Sequence, residues 1–387
     1  MATTSTHATG PVSETIACGT PALLAPHRRL TDQDVLNLPT DVHRLRTVLV
    51  NCYFVGTPGE RDWVLVDAGI PMHAGKIIKM AEELFGPQPP RCIVLTHGHF
   101  DHVGSLAALL DRWPGVTVYA HELEMPYLTG HSDYPPPDPS VGGGFMARSA
   151  PLFPRHAYNF RPHISALPVD GSVPHLPLWR WIPTPGHTHG HVALWRESDG
   201  TLIAGDAFVT QKQESLAGVV SEKYVMHGPP TYFTTDWHLA ADSVRRLAAL
   251  HPRTAFTGHG KPVTNPRLAH DLNWLASRFE EVAIPADGRY VREPALADEQ
   301  GVFSIPPSVA DKRPLIIAGV AAAAIGAWLF ARSRRHHAAE EHHAEIKRQA
   351  AEAEHAMRWA EARRCLADAH DVAAERRKSK AHGASRG

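Results

Sequence analysis

The stretch Thr96-His97-Gly98-His99-Phe100-Asp101-His102-Val103-Gly104 places three histidines and a carboxylate within six positions, directly after the apolar run Cys92-Ile93-Val94-Leu95. Neutral imidazoles and a carboxylate are the donor set that suits zinc and similar divalent ions. A strand that ends in a short loop can aim several side chains at one point, and Gly98 and Gly104 allow the sharp backbone path this needs. The stretch therefore reads as a metal site.

Three pieces downstream extend it. Thr184-Pro185-Gly186-His187-Thr188-His189-Gly190-His191 puts a histidine in a Gly/Pro turn just after the apolar strand Leu178-Trp179-Arg180-Trp181-Ile182. Thr201-Leu202-Ile203-Ala204-Gly205-Asp206 is a strand ending on an aspartate, and Thr254-Ala255-Phe256-Thr257-Gly258-His259-Gly260 is one ending on a histidine between glycines. Asp67 closes the strand Trp63-Val64-Leu65-Val66 in the same way. Strand C-termini are where α/β folds build their sites, so the repeated placement is itself informative.

The order H-x-H-x-D-H, then a distant His, an Asp and a His, resembles the metallo-β-lactamase superfamily over roughly residues 45 to 285. The resemblance implies that His97, His99 and His187 hold one metal and that Asp101, His102 and His259 hold a second, with Asp206 bridging them. It implies two Zn2+ per chain, Asp67 orienting the site from behind the ligands, and His191 packing or hydrogen-bonding in the same supporting layer. A hydroxide held between two cations is a nucleophile at neutral pH and would attack an ester-like carbonyl, with Asp101 able to accept a proton. The superfamily's true β-lactamases usually carry cysteine at the bridging position. Asp206 looks like the thioesterase, lactonase and phosphodiesterase branches, which argues against antibiotic hydrolysis as the native role.

Around these motifs the pattern predicts a hairpin from strands at about 48–55 and 63–67, helices at about 73–85 and 103–112, and a strand at 116–120. A second hairpin joins 192–195 to 202–204, and a helix runs over about 236–250. This order is compatible with an α/β fold of two face-to-face sheets covered by helices, the four-layer αββα sandwich that the resemblance implies. The Pro/Gly-rich stretch at about 129–165 is long for a compact domain and reads as a lid or substrate wall, with Tyr127, Tyr134, Phe145 and Met146 as apolar contacts. The histidines at 121, 131, 156, 163, 175 and 227 read as ordinary packed or exposed residues rather than ligands.

The predicted organisation is a flexible N-terminal arm (1–40), a catalytic domain (41–290), a linker (291–311), a membrane-spanning helix (312–335) and a charged Ala/Glu/Arg/His-rich helical tail (336–387). Pro314 to Ala331 is an uncharged run of 18 residues between Lys312-Arg313 and Arg332. At about 1.5 Å per residue it reaches roughly 27 Å, enough for a bilayer core. Its small residues Gly319, Ala322, Ala323 and Gly326 would let two such helices approach, which makes a homodimer an option. No apolar leader precedes the domain, so the expectation is a membrane-associated protein with its catalytic domain facing the cytoplasm.

The 387 residues are 43% hydrophobic, enough for one large domain plus extensions. A net charge of −1 gives no general pull toward nucleic acid, which is therefore not expected as a partner. Cys18, Cys52, Cys92 and Cys365 form no C-x-x-C pair, which favours a reducing compartment. The leading expectation is a hydrolase of a small thioester or lactone substrate. The alternatives are a mononuclear iron (one Fe2+) persulfide dioxygenase-like oxidoreductase and a membrane-tethered metal-binding scaffold.

Overall fold

The computed structural model describes residues 38–309. The arm up to residue 37, the proposed span at 314–331 and the charged tail lie outside the described residues; among those described, no helix is long and apolar enough to cross a membrane.

Two six-stranded sheets dominate. The first runs in the order β1 (Val42–Thr47), β2 (Val50–Val55), β3 (Val64–Val66), β4 (Cys92–Val94), β5 (Thr117–Ala120), β6 (Ile164–Ala166). The second runs from β12 (Val263–Thr264) through β11 (Thr254–Thr257), β10 (Thr201–Gly205), β9 (Val192–Arg196) and β8 (Leu176–Pro183) to β7 (Ser172–Val173). Strands β3, β4, β5 and β6 pair in parallel, as do β10 and β11, while the remaining pairs are antiparallel.

Side-chain alternation with period two sorts each strand between two cores. From β2, β3 and β4, the residues Tyr53, Val55, Val64, Val66 and Val94 meet Val192, Leu194, Ile203 and Phe256 of the second sheet in the core between the sheets. Their alternates Cys52, Phe54, Leu65 and Ile93 face outward, against helices α1 (Ala74–Phe85) and α2 (Leu106–Arg112). On the far side, Ala193, Leu202, Ala204 and Ala255 pack under α3 (Trp237–Ala249) and α4 (Arg267–Ser277). The strands are thus apolar on both faces, as strands sandwiched between layers must be, and the result is the αββα arrangement expected from the sequence.

The helices follow from equally local rules. Ile77, Ala81 and Phe85 recur every fourth residue and form the buried stripe of α1. Helix α3 starts where the Asp236 side chain accepts a hydrogen bond from the Leu239 amide at 2.9 Å, a capping interaction.

Two boundaries differ from expectation. The sheet begins one strand earlier than the hairpin predicted, because β1 pairs with β2 along its whole length from Val42↔Val55 to Thr47↔Val50. Its sequence, Val-His-Arg-Leu-Arg-Thr, carries the sparse, charged pattern of an edge strand and so gives little apolar signal. The segment 291–311 is not a plain linker. Its described part folds into the hairpin β13 (Leu296–Asp298) and β14 (Gly301–Ser304), and Ala295 is buried in the helical core of the second sheet, its amide bonded to the Thr235 carbonyl at 3.1 Å. The pairing spans only three residues on β13, too short for a periodic signal.

Trp63 anchors the outer core of the first sheet: it is fully buried, stacked on Phe85 at 4.7 Å and set edge-on to Trp113 at 5.8 Å. Trp63→Ala should cost about 3–5 kcal/mol, read as a lowered urea midpoint with unchanged slope. A loss near zero would mean that this aromatic stack does not carry the outer layer.

Candidate metal centre

Five strand ends converge at one end of the sandwich. Asp67 follows β3, the His97–His102 segment follows β4, His187 follows β8, Asp206 follows β10 and His259 follows β11. Their donor atoms fall into three groups, each within 4.8 Å: His97 with His99 and His187; His97 with His102 and Asp206; Asp101 with His102 and His259. None of these seven residues is more than 6% exposed.

Asp206 stands between the groups. Its Oδ2 is 3.5 Å from His187 Nε2 on one side, and 3.6 and 3.1 Å from the Nε2 atoms of His102 and His259 on the other. His259 Nε2 is also 3.4 Å from Asp101 Oδ2. Room for Asp206 depends on the glycine before His259, since a Cβ on Gly258 would overlap Asp206 Oδ1.

The hydrogen bonds behind the ligands decide which nitrogen each ring turns inward. Asp67 Oδ2 accepts from His102 Nδ1 at 2.8 Å and from the Thr96 hydroxyl at 2.8 Å, while its Oδ1 takes the Thr96 amide at 2.8 Å. With its proton committed to Asp67, Thr96 Oγ1 accepts from His97 Nδ1 at 3.1 Å. His259 Nδ1 donates to the Leu49 carbonyl at 2.8 Å. The Thr234 hydroxyl donates to the Pro230 carbonyl and so accepts from His187 Nδ1 at 3.3 Å. In all four rings Nδ1 is engaged behind the centre, so it is Nε2 that turns toward it. His191 is not in any donor group: its Nε2 accepts the Asp206 amide at 2.9 Å and its Nδ1 meets Thr184 Oγ1 at 2.7 Å, so it fixes the loop that carries Asp206. His189 turns away to the Ala295 carbonyl at 3.0 Å.

The donor set fits divalent metal ions. His97 Nε2, His102 Nε2 and Asp206 Oδ1 are buried with no hydrogen-bond partner, a costly arrangement for polar atoms unless something else satisfies them. The two halves also differ electrostatically. Burial, reinforced by neighbouring imidazoles, holds His97 and His187 well below the ordinary histidine value and brings His99 to about 3. Burial pulls His102 and His259 down as well, but Asp206 and its neighbouring carboxylates outweigh it and raise both. Burial also raises the Asp101 carboxyl. Burial therefore dominates in one half and the neighbouring carboxylates in the other.

The apolar contacts expected from the 129–165 stretch are placed unequally. This segment is ordered by short helices at Pro139–Val141, Phe145–Ser149 and Ala150–Leu152. Tyr134 lies against a metal-ligand candidate, its ring 4.7 Å from that of His99. Tyr127 is buried behind it, stacked at 4.0 Å, and so has the position of a support rather than a contact. Met146 is buried, and Phe145 packs partly buried, in a separate cluster with Tyr232 and Phe233. Phe233, which the sequence reading did not single out, reaches His99 at 4.7 Å. Glu124 was also missed: it is fully buried and bonded to both histidine loops.

Asp67 adopts a left-handed backbone with φ of 60°, which aspartate tolerates better than most residues. Asp67→Ala should weaken metal affinity by about 10- to 100-fold in chelator competition, because the His102 ring loses its orienting acceptor. An unchanged affinity would remove that role.

The family model described as the metallo-beta-lactamase superfamily matches residues 45–259. Probable metallo-hydrolase YflN of Bacillus subtilis is 47% identical over 243 residues, covering 62% of this chain and 92% of that protein. A hydroxyacylglutathione hydrolase of Xanthomonas oryzae is 27% identical over 280 residues, covering 70% of this chain and 88% of that protein. Among solved structures, the BLEG-1 B3 metallo-beta-lactamase aligns with a TM-score of 0.42 and 22% identity, covering 59% of this chain and 97% of that one.

Proposed function

Because the chain belongs to the metallo-β-lactamase superfamily, we propose that it is a dinuclear zinc hydrolase that cleaves a small ester-like bond, a thioester or a lactone. The observation that carries this reading is the position of Asp206, whose Oδ2 approaches nitrogens from both halves of the centre at 3.1–3.6 Å. A carboxylate so placed is suited to bridge two cations, with His97, His99 and His187 holding one and Asp101, His102 and His259 the other. Bound there, divalent cations supply Lewis acidity and a nucleophile at neutral pH.

The chain's own groups supply the rest. Asp101, buried and 3.4 Å from His259 Nε2, is placed to take a proton from the attacking water. Asp67, Thr96, Thr234 and the Leu49 carbonyl hold the imidazoles in their working orientation. Phe233 and Tyr134, each 4.7 Å from His99, form an apolar wall that excludes water and suits the carbon chain of an acyl group. The 27% identity to a hydroxyacylglutathione hydrolase, a thioester-cleaving name, supports the thioester choice without extending to that enzyme's substrate.

The test is metal content by mass spectrometry on protein purified without added metal, together with turnover of a thioester and lactone panel. About two zincs per chain with hydrolysis is the expected result. One iron per chain with oxygen uptake and no hydrolysis would overturn the proposal in favour of the oxygenase reading. Asp101→Ala should lower kcat by about 10²- to 10⁴-fold; retained turnover would remove Asp101 from the proton path.

A further inference from the structure

Glu124 lies in a one-turn 3₁₀ helix, Glu122–Glu124, after β5, outside every donor group, and is fully buried. Four donors converge on its two oxygens. Oε2 accepts the Gly98 amide at 2.9 Å and the Tyr134 hydroxyl; Oε1 accepts the Gly190 amide at 3.1 Å and the Thr188 hydroxyl at 2.6 Å. Gly98 sits between His97 and His99, and Thr188 directly follows His187. One carboxylate thus joins the two loops that carry the three imidazoles of one half of the centre. We infer that Glu124 is the positioning residue that sets the spacing of the His97/His99/His187 half, and that Tyr134 ties the 129–165 segment to it.

The local geometry is built around this joint. A Cβ on Gly98 would run into the Tyr134 hydroxyl and come within 2.8 Å of Leu128 Cδ2, and one on Gly190 would lie 2.7 Å from Glu124 Cγ. Both loops therefore need glycine where the carboxylate and its tyrosine approach them. The donor count also selects the ionised acid. A carboxylate offers about four lone-pair sites on its two oxygens, and four donors fill them; burial raises the Glu124 pKa, and these four bonds oppose that rise.

Each oxygen receives one backbone N–H and one side-chain hydroxyl. A hydroxyl can rotate to accept from an amide, but a backbone N–H cannot. Glutamine, the isostere, must set its NH2 against either the Gly98 or the Gly190 amide, so Glu124→Gln pushes one histidine loop away while keeping nearly the same volume. Tyr134→Phe and Thr188→Val remove one donor each and leave the carboxylate in place.

This inference rests on the dinuclear reading of the centre, and metal affinity tests it separately from turnover. Full-length apoprotein is titrated with cobalt(II), following visible d–d absorption and heat, for the wild type and the three variants, with melting temperature as the folding control. In Glu124→Gln we expect one of the two binding steps to weaken by about 10- to 100-fold, with altered d–d bands for that step, and the other step to hold within about threefold. Tyr134→Phe and Thr188→Val should weaken the same step by smaller factors with unaltered stoichiometry. Equal weakening of both steps alongside a lowered melting temperature would assign Glu124 a general structural role and overturn the inference. So would affinities and bands in Glu124→Gln equal to those of the wild type. If the wild type binds two cobalt ions but turns over no ester, thioester or lactone, the hydrolase proposal fails while the positioning role is still decided by these affinities.

Discussion

Everything near the centre depends on one constraint: seven polar or charged side chains are held out of water at the seam of two apolar sheets. Such groups are expensive to bury unless every donor and acceptor is met. The fold meets most of that demand with bonds that also lock the sheets together. Asn51 of β2 sends its side-chain amide to the carbonyls of Thr257 and Gly260 at 2.7 and 2.8 Å, Tyr53 donates to Thr257 at 2.6 Å, and the Val192 amide reaches Thr96 at 2.9 Å. These links join the first sheet to the loops bearing His259 and His187 at the end where the ligands converge. On the ligands themselves, His97 Nε2, His102 Nε2 and Asp206 Oδ1 stay unmet.

The two halves of the centre solve the burial problem differently. In the His97, His99 and His187 half, low pKa values leave neutral rings with available lone pairs, and neutral rings are the cheaper groups to bury. In the Asp101, His102 and His259 half, neighbouring carboxylates raise His102 and His259 against the pull of burial. Asp206 belongs to both and is held well below the usual carboxylate range: burial pushes its carboxyl up, but His259 and His102 outweigh it. A half of one carboxylate and two imidazoles joined to a tri-imidazole half through the shared Asp206 is an asymmetric centre, and each half needs its own supporting bonds. Asp67 orients His102 directly and His97 through Thr96, and Glu124 joins the two loops of the tri-imidazole half.

How much of this the sequence disclosed depends on the range of the interaction. The ligand segment after β4 and the strand-end Asp206 and His259 are written in contiguous motifs, because a strand and its following loop are local objects. The strands were legible for the same reason, whereas their stacking into four layers came from the family resemblance; the run Cys52-Tyr53-Phe54-Val55 is apolar throughout, and only the structure shows which residues face which core. Glu124 was not legible. It stands in Ala-His-Glu-Leu-Glu-Met, where an acidic residue looks like an exposed turn, and only the approach of loops 26 and 66 positions away in sequence makes it a buried acceptor. Tyr127 and Tyr134 looked equivalent as aromatics in a long loop. Packing puts one behind the other, which spacing in a Pro-rich stretch cannot encode.

The apolar material over the centre has its own logic. Met146, Ala147, Ala150, Val219, Tyr232 and Phe233 form a cluster separate from the three cores of the sandwich, with Phe100 and Phe153 packed against it. It touches the ligands through Phe233 and His99. A dry, apolar cover strengthens every charge interaction beneath it, because little water is present to screen them. Phe233 of this cluster and Tyr134 beside it both lie 4.7 Å from the His99 ring. Small satellite clusters lose little buried area on opening, whereas the three main cores would lose a great deal. On that ground the sheets that carry the ligands are expected to outlast this cluster in local opening, while Tyr134, bonded to Glu124, fastens the 129–165 segment beside His99.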